Sequence, residues 1–415
     1  MFIAHFTERP YQDPKSGYFG ATGKPIKDLD LSNEIYDAQL GSDLYNRYLD
    51  EKVYAEEMGF DGLMLNEHHS TPFCMGGAMN IEAGILARMT SKAKIVLLGN
   101  ILPIWDDPLW LVEQLSIIDM ISRGRLVSGW VRGTGRESVA HNAPPHFNWE
   151  RFQEAHDFII KAWTTSGPFR WEGKHYQYRY VNPWAKPYQK PHPPIWLPGV
   201  VSRDSLMWAA KNRIPYIMLA TEMGPTKEAF QLYHDTAAEE GYQSGTQNIG
   251  YLWKVHVDET EELAQETAKK YVQGPSNPFL AGNEGTANEA LMRLPGLTSR
   301  KRVLSTRAVA TANRGGQIGS RPFEEQQEMY TIIAGTPDTV IPKIRHVLET
   351  LRPGSVIIWD GDGAMTHDDQ MRSLRLMGEY VLPAMHEMGD ELGLNSPFDV
   401  DPATNKPFET AEATA

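Results

Sequence analysis

The feature that most constrains this chain is an alternation. Short apolar runs recur at "FIAHF" (2), "GLMLN" (62), "KIVLLGNIL" (94), "RLVSGWV" (125), "PIWLPG" (194), "PYIMLA" (215), "YLWKVHV" (251) and "SVIIWDG" (355). Between them stand stretches with apolar residues at helical spacing: "LYNRYLDEKVYAEEMG" (44), "NIEAGILARMTS" (80), "PLWLVEQLSIIDMIS" (108), "ERFQEAHDFIIKAWTTSG" (150), "SRDSLMWAAKNR" (202), "TKEAFQLYHDTAAEEG" (226) and "TPDTVIPKIRHVLETL" (336). The runs suit buried strands and the stretches suit helices with one apolar face. Strand then helix, repeated about eight times, is the pattern of a parallel sheet closed on itself, so the expected fold is an α/β chain forming a (β/α)₈ TIM barrel. The 415 residues would also accommodate two or three ordinary domains; the alternation decides.

Three parts break the alternation. Residues 8–41 form a Gly/Pro/Asp-rich excursion after the first strand, and 275–330 form a long insertion after the seventh, with the Gly-rich "ANRGGQIGSRP". A long irregular segment in a compact domain suits a lid. From 394 the chain reads "LNSPFDVDPATNKPFETAEATA", with few apolar anchors. The expected organisation is one barrel domain over 1–393, a lid insertion at 275–330, and a flexible tail over 394–415.

Charge and cysteine content narrow the function. With 40 Lys+Arg against 53 Asp+Glu, a formal net charge of −13 and no long basic block, nucleic acid is not an expected partner. A single cysteine, Cys74, excludes an internal disulfide. The opening "MFIAHFTERPYQDP" lacks a basic region followed by a secretory apolar stretch, and no stretch approaches the roughly 20 apolar residues of a membrane span. A cytoplasmic enzyme or binding protein is expected.

In such a barrel the chemistry gathers at the carboxyl ends of the strands. After strand two come Glu67, His68 and His69; after strand three, Gly99 and Asn100; strand four ends in "GWVRGTGRE", with Arg132 at the mouth. A metal reading of Glu67, His68 and His69 fails, because adjacent side chains of an extended chain point to opposite faces and no HExxH or CxxC spacing is present. After strand five, "GVVSRDS" offers a glycine and hydroxyls at a helix start, where unpaired N–H groups and the dipole suit a phosphate. The same pattern also suits a plain helix start, with Ser202 its cap and Ser205 a neighbour on the first turn. Arg132 and Arg151 favour the phosphate, since a dianion needs fixed cations with planar paired donors. "GWVRGTGRE" does not have the GxGxxG spacing of a dinucleotide site.

Four segments, in order, are similar to the bacterial luciferase-like, flavin-dependent monooxygenases: "GFDGLMLNEHHSTP" (59), "LWLVEQLSIIDMISRGRLVSGWVRG" (109), "PPIWLPGVVSRDSLMWAAKNRIPYIML" (193) and "IIAGTPDTVIPKIRHV" (332). The resemblance implies a (β/α)₈ barrel with insertions and the use of reduced FMN, delivered by a separate flavin reductase, to activate O₂. It puts the phosphate contacts on Arg132, Arg151, the Val201 backbone, Ser202 and Ser205, the active-site histidine on His68, and Glu67 near the flavin. It also implies a non-proline cis peptide around Gly99 and Asn100, and a homodimer or tetramer. The excursion at 8–41 and "GTGRESVAHN" depart from the luciferase pattern, so neither a long-chain aldehyde nor light emission is implied. The expected activity is a two-component monooxygenase acting, through a C4a-peroxyflavin, on a small to medium apolar organic substrate. Deazaflavin-dependent hydride transfer and a non-catalytic flavin-binding protein are the alternatives.

Overall fold

The computed structural model describes residues 1–13, 32–133, 135–200, 202–273, 321–361, 363–401 and 406–407. In chain order the strands are β1 (Phe2–Phe6), β2 (Gly62–Leu65), β3 (Lys94–Ile101), β4 (Leu126–Val131), β5 (Phe169–Glu172), β6 (Gln177–Val181), β7 (Ile195–Gly199), β8 (Tyr216–Leu219), β9 (Ile249–Val257), β10 (Ile332–Gly335) and β11 (Ser355–Trp359). Eight of them pair in parallel in the order β1-β2-β3-β4-β7-β8-β9-β11, and β11 returns to β1, so the sheet closes. These eight are the eight apolar runs of the sequence.

The helices that position the mouth are α1 (Ala38–Glu57), α2 (Met79–Met89), α3 (Pro108–Ser122), α4 (Gly135–Ala140), α5 (Asn148–Thr164) and α6 (Arg203–Lys211). Side chains alternate across each strand. One set, including Met64, Val96, Trp196, Ile217 and Trp359, fills the barrel, and the other packs against the helices. No helix among the described residues is long and apolar enough to cross a membrane.

Three details differ from the sequence expectation. An antiparallel hairpin, β5–β6, follows α5, and its aromatic faces pack on that helix, with Tyr178 stacked on Phe158 at 4.7 Å. β10 adds to β9 outside the barrel, hidden in the sequence because its four residues run straight into a helix at Pro337. Residues 394–401, expected to begin a loose tail, instead pack: Leu394 and Val400 are buried, and the Phe398 ring lies 5.0 Å from Phe2 and 5.9 Å from Trp196. Three apolar side chains were enough to anchor a segment whose polar composition suggested otherwise. The expected lid falls mostly on 275–320, outside the described residues, while its last ten residues include a six-residue helix, Phe323–Glu328, with Phe323 buried against Tyr271 and Met365.

Candidate active site at the carboxyl ends of the strands

The chain leaves β2 at Leu65 and passes through Asn66, Glu67, His68 and His69 without regular structure. Met64 fills the barrel, so continued alternation sends 66 and 68 to the mouth side and 67 and 69 to the helix side. The contacts follow that division. Glu67 Oε1 meets His69 Nε2 at 2.8 Å, and its Oε2 accepts from Asn100 Nδ2 at 3.0 Å. The same amide reaches Asn80 Oδ1 on α2 at 3.0 Å. His68 takes a different partner: its Nδ1 lies 3.0 Å from Glu137 Oε1, while Glu137 Oε2 accepts the His69 backbone N–H at 3.1 Å.

Glu137 was not among the expected site residues. It arrives on α4, after a turn at Gly133, whose φ of +74° and closeness to Ile101, 2.5 Å from an added Cβ, require glycine. Its only signal was "GTGRESVAHN", a departure from the resembled pattern. Burial disfavours its carboxylate, yet the hydrogen bond and charge of His68, with Arg136 and His69, hold its pKa below the ordinary value. Burial likewise opposes charge on His69, but Glu67, aided by Glu137, raises the pKa of that imidazole. Burial and the charge of His69 lower that of His141, whose ring lies 4.1 Å from His69.

The floor of the mouth is irregular at β3. Its register against β4 shifts between Leu97 and Asn100, and the Leu98–Gly99 peptide is cis, one bond before the expected Gly99–Asn100. A Cβ on Gly99 would sit 2.5 Å from Gly129 O, and one on Gly129 1.9 Å from Leu97 O, so two facing glycines let the backbones close here.

Across the mouth, Ser202 caps α6, and its Oγ gathers three donors: Ser205 N at 3.3 Å, Ser205 Oγ at 2.9 Å and Arg132 Nη2 at 3.0 Å. The Arg132 guanidinium lies 5.2 Å from the Trp149 ring centre. Beneath is Tyr216, which the sequence reading missed. A Cβ on Gly199 would fall 2.1 Å from its Oη, a buried hydroxyl with no hydrogen-bond partner among the described residues. Burial raises the Tyr216 pKa and the charge of Arg132 opposes that rise, which places the two near each other. The structure therefore brings together Arg132, Ser202 and Ser205. It turns Arg151 elsewhere: Nε and Nη2 donate to the carbonyls of Pro103 at 2.8 Å and Trp105 at 3.1 Å, and Nη2 pairs with Asp106 at 3.0 Å. Val201 lies outside the described residues.

A cavity of about 620 Å³ opens on the helix side, between α2, α3 and the residues after β2. Glu67, His69 and His141, with Asn80, Gln114 and Asp106, contribute polar wall, and Met79, Ile104, Trp105 and Ile118 contribute apolar wall. Among the described residues, no group of three or more His, Cys, Asp or Glu could hold a metal ion.

Residues 33–352 match the luciferase-like monooxygenase family. The oxygenase component of a flavin-dependent trigonelline monooxygenase from Acinetobacter baylyi is 25% identical over 369 residues, covering 85% of this chain and 93% of the relative. The alkanal monooxygenase alpha chain of Photobacterium leiognathi is 24% identical over 234 residues, covering 56% of this chain and 65% of that one. Two solved structures share the fold. A monooxygenase from Streptomyces bottropensis superposes with a TM-score of 0.70 at 20% identity, covering 93% of this chain and 100% of that one. The oxygenating constituent of 3,6-diketocamphane monooxygenase from Pseudomonas putida, in complex with FMN, gives 0.67 at 19%, covering 84% and 94%. The chain belongs to the luciferase-like monooxygenase family and is an oxidoreductase of the monooxygenase type.

Proposed function

We propose that this chain is the oxygenase component of a two-component system: it binds reduced FMN supplied by a separate flavin reductase and uses O₂ to oxygenate a small to medium apolar organic molecule. The observation that carries this reading is the cluster at the start of α6. Arg132, Ser202 and Ser205 already meet there, the helix offers its N-terminal N–H groups, and the Tyr216 hydroxyl, without a hydrogen-bond partner among the described residues, packs against Gly199 just before them. These residues fit a phosphate dianion. The description of the Acinetobacter relative as an oxygenase component supports a separate reductase.

Bound reduced flavin supplies the electrons that activate O₂. The chain's own residues do the rest. Arg132, Ser202 and Ser205 hold the phosphate, while Arg151 fixes the loop from Pro103 to Asp106. Gly99 and Asn100 shape the floor under the ring. Glu67 acts from behind that floor through Asn100. His68 holds or moves a proton at the mouth, as an imidazole can near neutral pH.

The test is anaerobic addition of reduced FMN or reduced deazaflavin, followed by air and a panel of apolar substrates. The reading expects FMN to bind and an oxygenated product to form. Binding of deazaflavin in preference to FMN, with hydride transfer and no use of O₂, would establish the alternative cofactor. Stoichiometric flavin with no oxygen chemistry would make the chain a flavin carrier.

A further inference from the structure

We propose that Glu137 is the positioning residue for His68: it locks the imidazole with its proton on Nδ1, so that Nε2 is the nitrogen that exchanges protons at the barrel mouth. The use of that nitrogen in turnover rests on the function proposed above; the locking does not.

Three observations converge. First, Glu137 is buried, the His68 ring with Arg136 and His69 holds its pKa below the ordinary carboxylate value and so favours the ionised form, and an ionised carboxylate only accepts hydrogen bonds. An acceptor 3.0 Å from Nδ1 requires an N–H there, so the lone pair of neutral His68 lies on Nε2. A proton taken up at Nε2 then creates an imidazolium whose charge faces a carboxylate already in place. Second, both oxygens of Glu137 are used on consecutive residues, the His68 ring and the His69 backbone N–H. This two-point clamp fixes the orientation of the ring as well as its tautomer. Third, the neighbouring histidine is held the opposite way. Glu67 meets His69 through Nε2 at 2.8 Å, which puts the proton of neutral His69 on Nε2. Two adjacent histidines thus carry opposite tautomers, each set by its own carboxylate, and His68 stands at the position that the alternation of β2 directs to the mouth side.

The opposition is directly measurable. Protein labelled with ¹⁵N-histidine, recorded by two-bond ¹H–¹⁵N correlation at a pH where the imidazoles are neutral, should show His68 as the Nδ1–H form and His69 as the Nε2–H form. His68→Gln and His69→Gln assign the signals. In Glu137→Gln, His68 should relax toward the Nε2–H form that free imidazole side chains favour, while His69 stays as it was. An Nε2–H signal for His68 in the unaltered protein overturns the proposal, as does an unchanged His68 signal in a folded Glu137→Gln. Should that variant fail to fold, the unaltered protein decides alone. Reduced-FMN affinity, measured on the same samples, separates the two readings: the tautomers holding without flavin binding would sustain the clamp and sink the flavin function. In turnover, Glu137→Gln should lower kcat at least ten-fold and leave flavin affinity within two-fold; a fall in affinity with kcat intact would mean that Glu137 supports the fold rather than the imidazole.

Discussion

The barrel carries two clusters of carboxylate and imidazole at its carboxyl end, and they are built on opposite terms. On the β9–β11 side, His256, Asp258 and Asp360 are all fully buried. His256 Nδ1 lies 3.1 Å from Asp360 and Nε2 3.7 Å from Asp258, Gln370 donates to the second Asp360 oxygen at 2.8 Å, and Arg372 holds Asp258 through two bonds of 2.7 and 3.0 Å. The charges are paired and closed off, and the hydrogen bonds tie β9 and β11 to the helix at His367–Leu376. On the β2–β4 side, the imidazoles of His68 and His69 are only partly buried, with side chains 20% and 12% exposed, and each carboxylate partner engages one ring nitrogen. A buried cluster whose carboxylates are held by cations and amides is scaffold; a cluster with imidazoles near solvent can exchange protons.

The largest effect should fall on chemistry at the open cluster. His68→Ala should keep FMN binding, because the phosphate contacts lie across the mouth, while oxygenated product per reduced FMN falls roughly 10²- to 10⁴-fold and hydrogen peroxide is released instead. Product and peroxide assays on one sample check both halves. At the sealed cluster the effect should fall on stability. His256→Leu leaves the buried Asp360 carboxylate without its cationic partner, while Asp258 keeps Arg372, and thermal or urea unfolding should show a loss of about 3–5 kcal/mol.

The pH dependence sharpens the contrast. Burial opposes charge on His256, but Asp258 and Asp360 together raise its pKa to about 9. A raised pKa stabilises the fold fully below the unfolded value of about 6.5, and that contribution, on the order of 3 kcal/mol, disappears as pH climbs through about 9. Unfolding free energy measured from pH 6 to 10 should fall accordingly, and the fall should vanish in His256→Leu. The smallest effect is expected at His69. Its loss removes a bond to Glu67 and should cost about 1–3 kcal/mol of stability while product coupling persists. If His69→Ala uncouples as strongly as His68→Ala, the division between mouth side and helix side is wrong.

The barrel was legible in the sequence because its eight strands are buried on both faces and so read as nearly continuous apolar runs, broken only by single buried polar residues such as His5, Ser128 and Lys254. The β5–β6 hairpin was missed although "FRWE" alternates in burial, since its strands are half exposed and lie outside that rhythm. At the site, Arg132, Ser202 and Ser205 could be read because one turn of helix and one strand end bring them together. Glu137 and Tyr216 could not. Glu137 stands 69 residues from His68 and reaches it only through the turn at Gly133. Tyr216 belongs to the next strand and meets the cluster through strand pairing, which no local pattern encodes. Arg151 shows the converse: a guanidinium at a suitable sequence position was drawn off by carbonyls of a neighbouring loop.

The central claim is that the start of α6 holds the phosphate of a flavin, and the most direct measurement is the affinity of the protein for FMN against riboflavin, which differs by that group alone. The account predicts that FMN binds at least ten-fold more tightly and that Arg132→Ala erases most of the difference, since a charge-assisted contact contributes about 1.5–3 kcal/mol. Equal affinity for the two flavins, or a preference for FMN that survives Arg132→Ala unchanged, would contradict it.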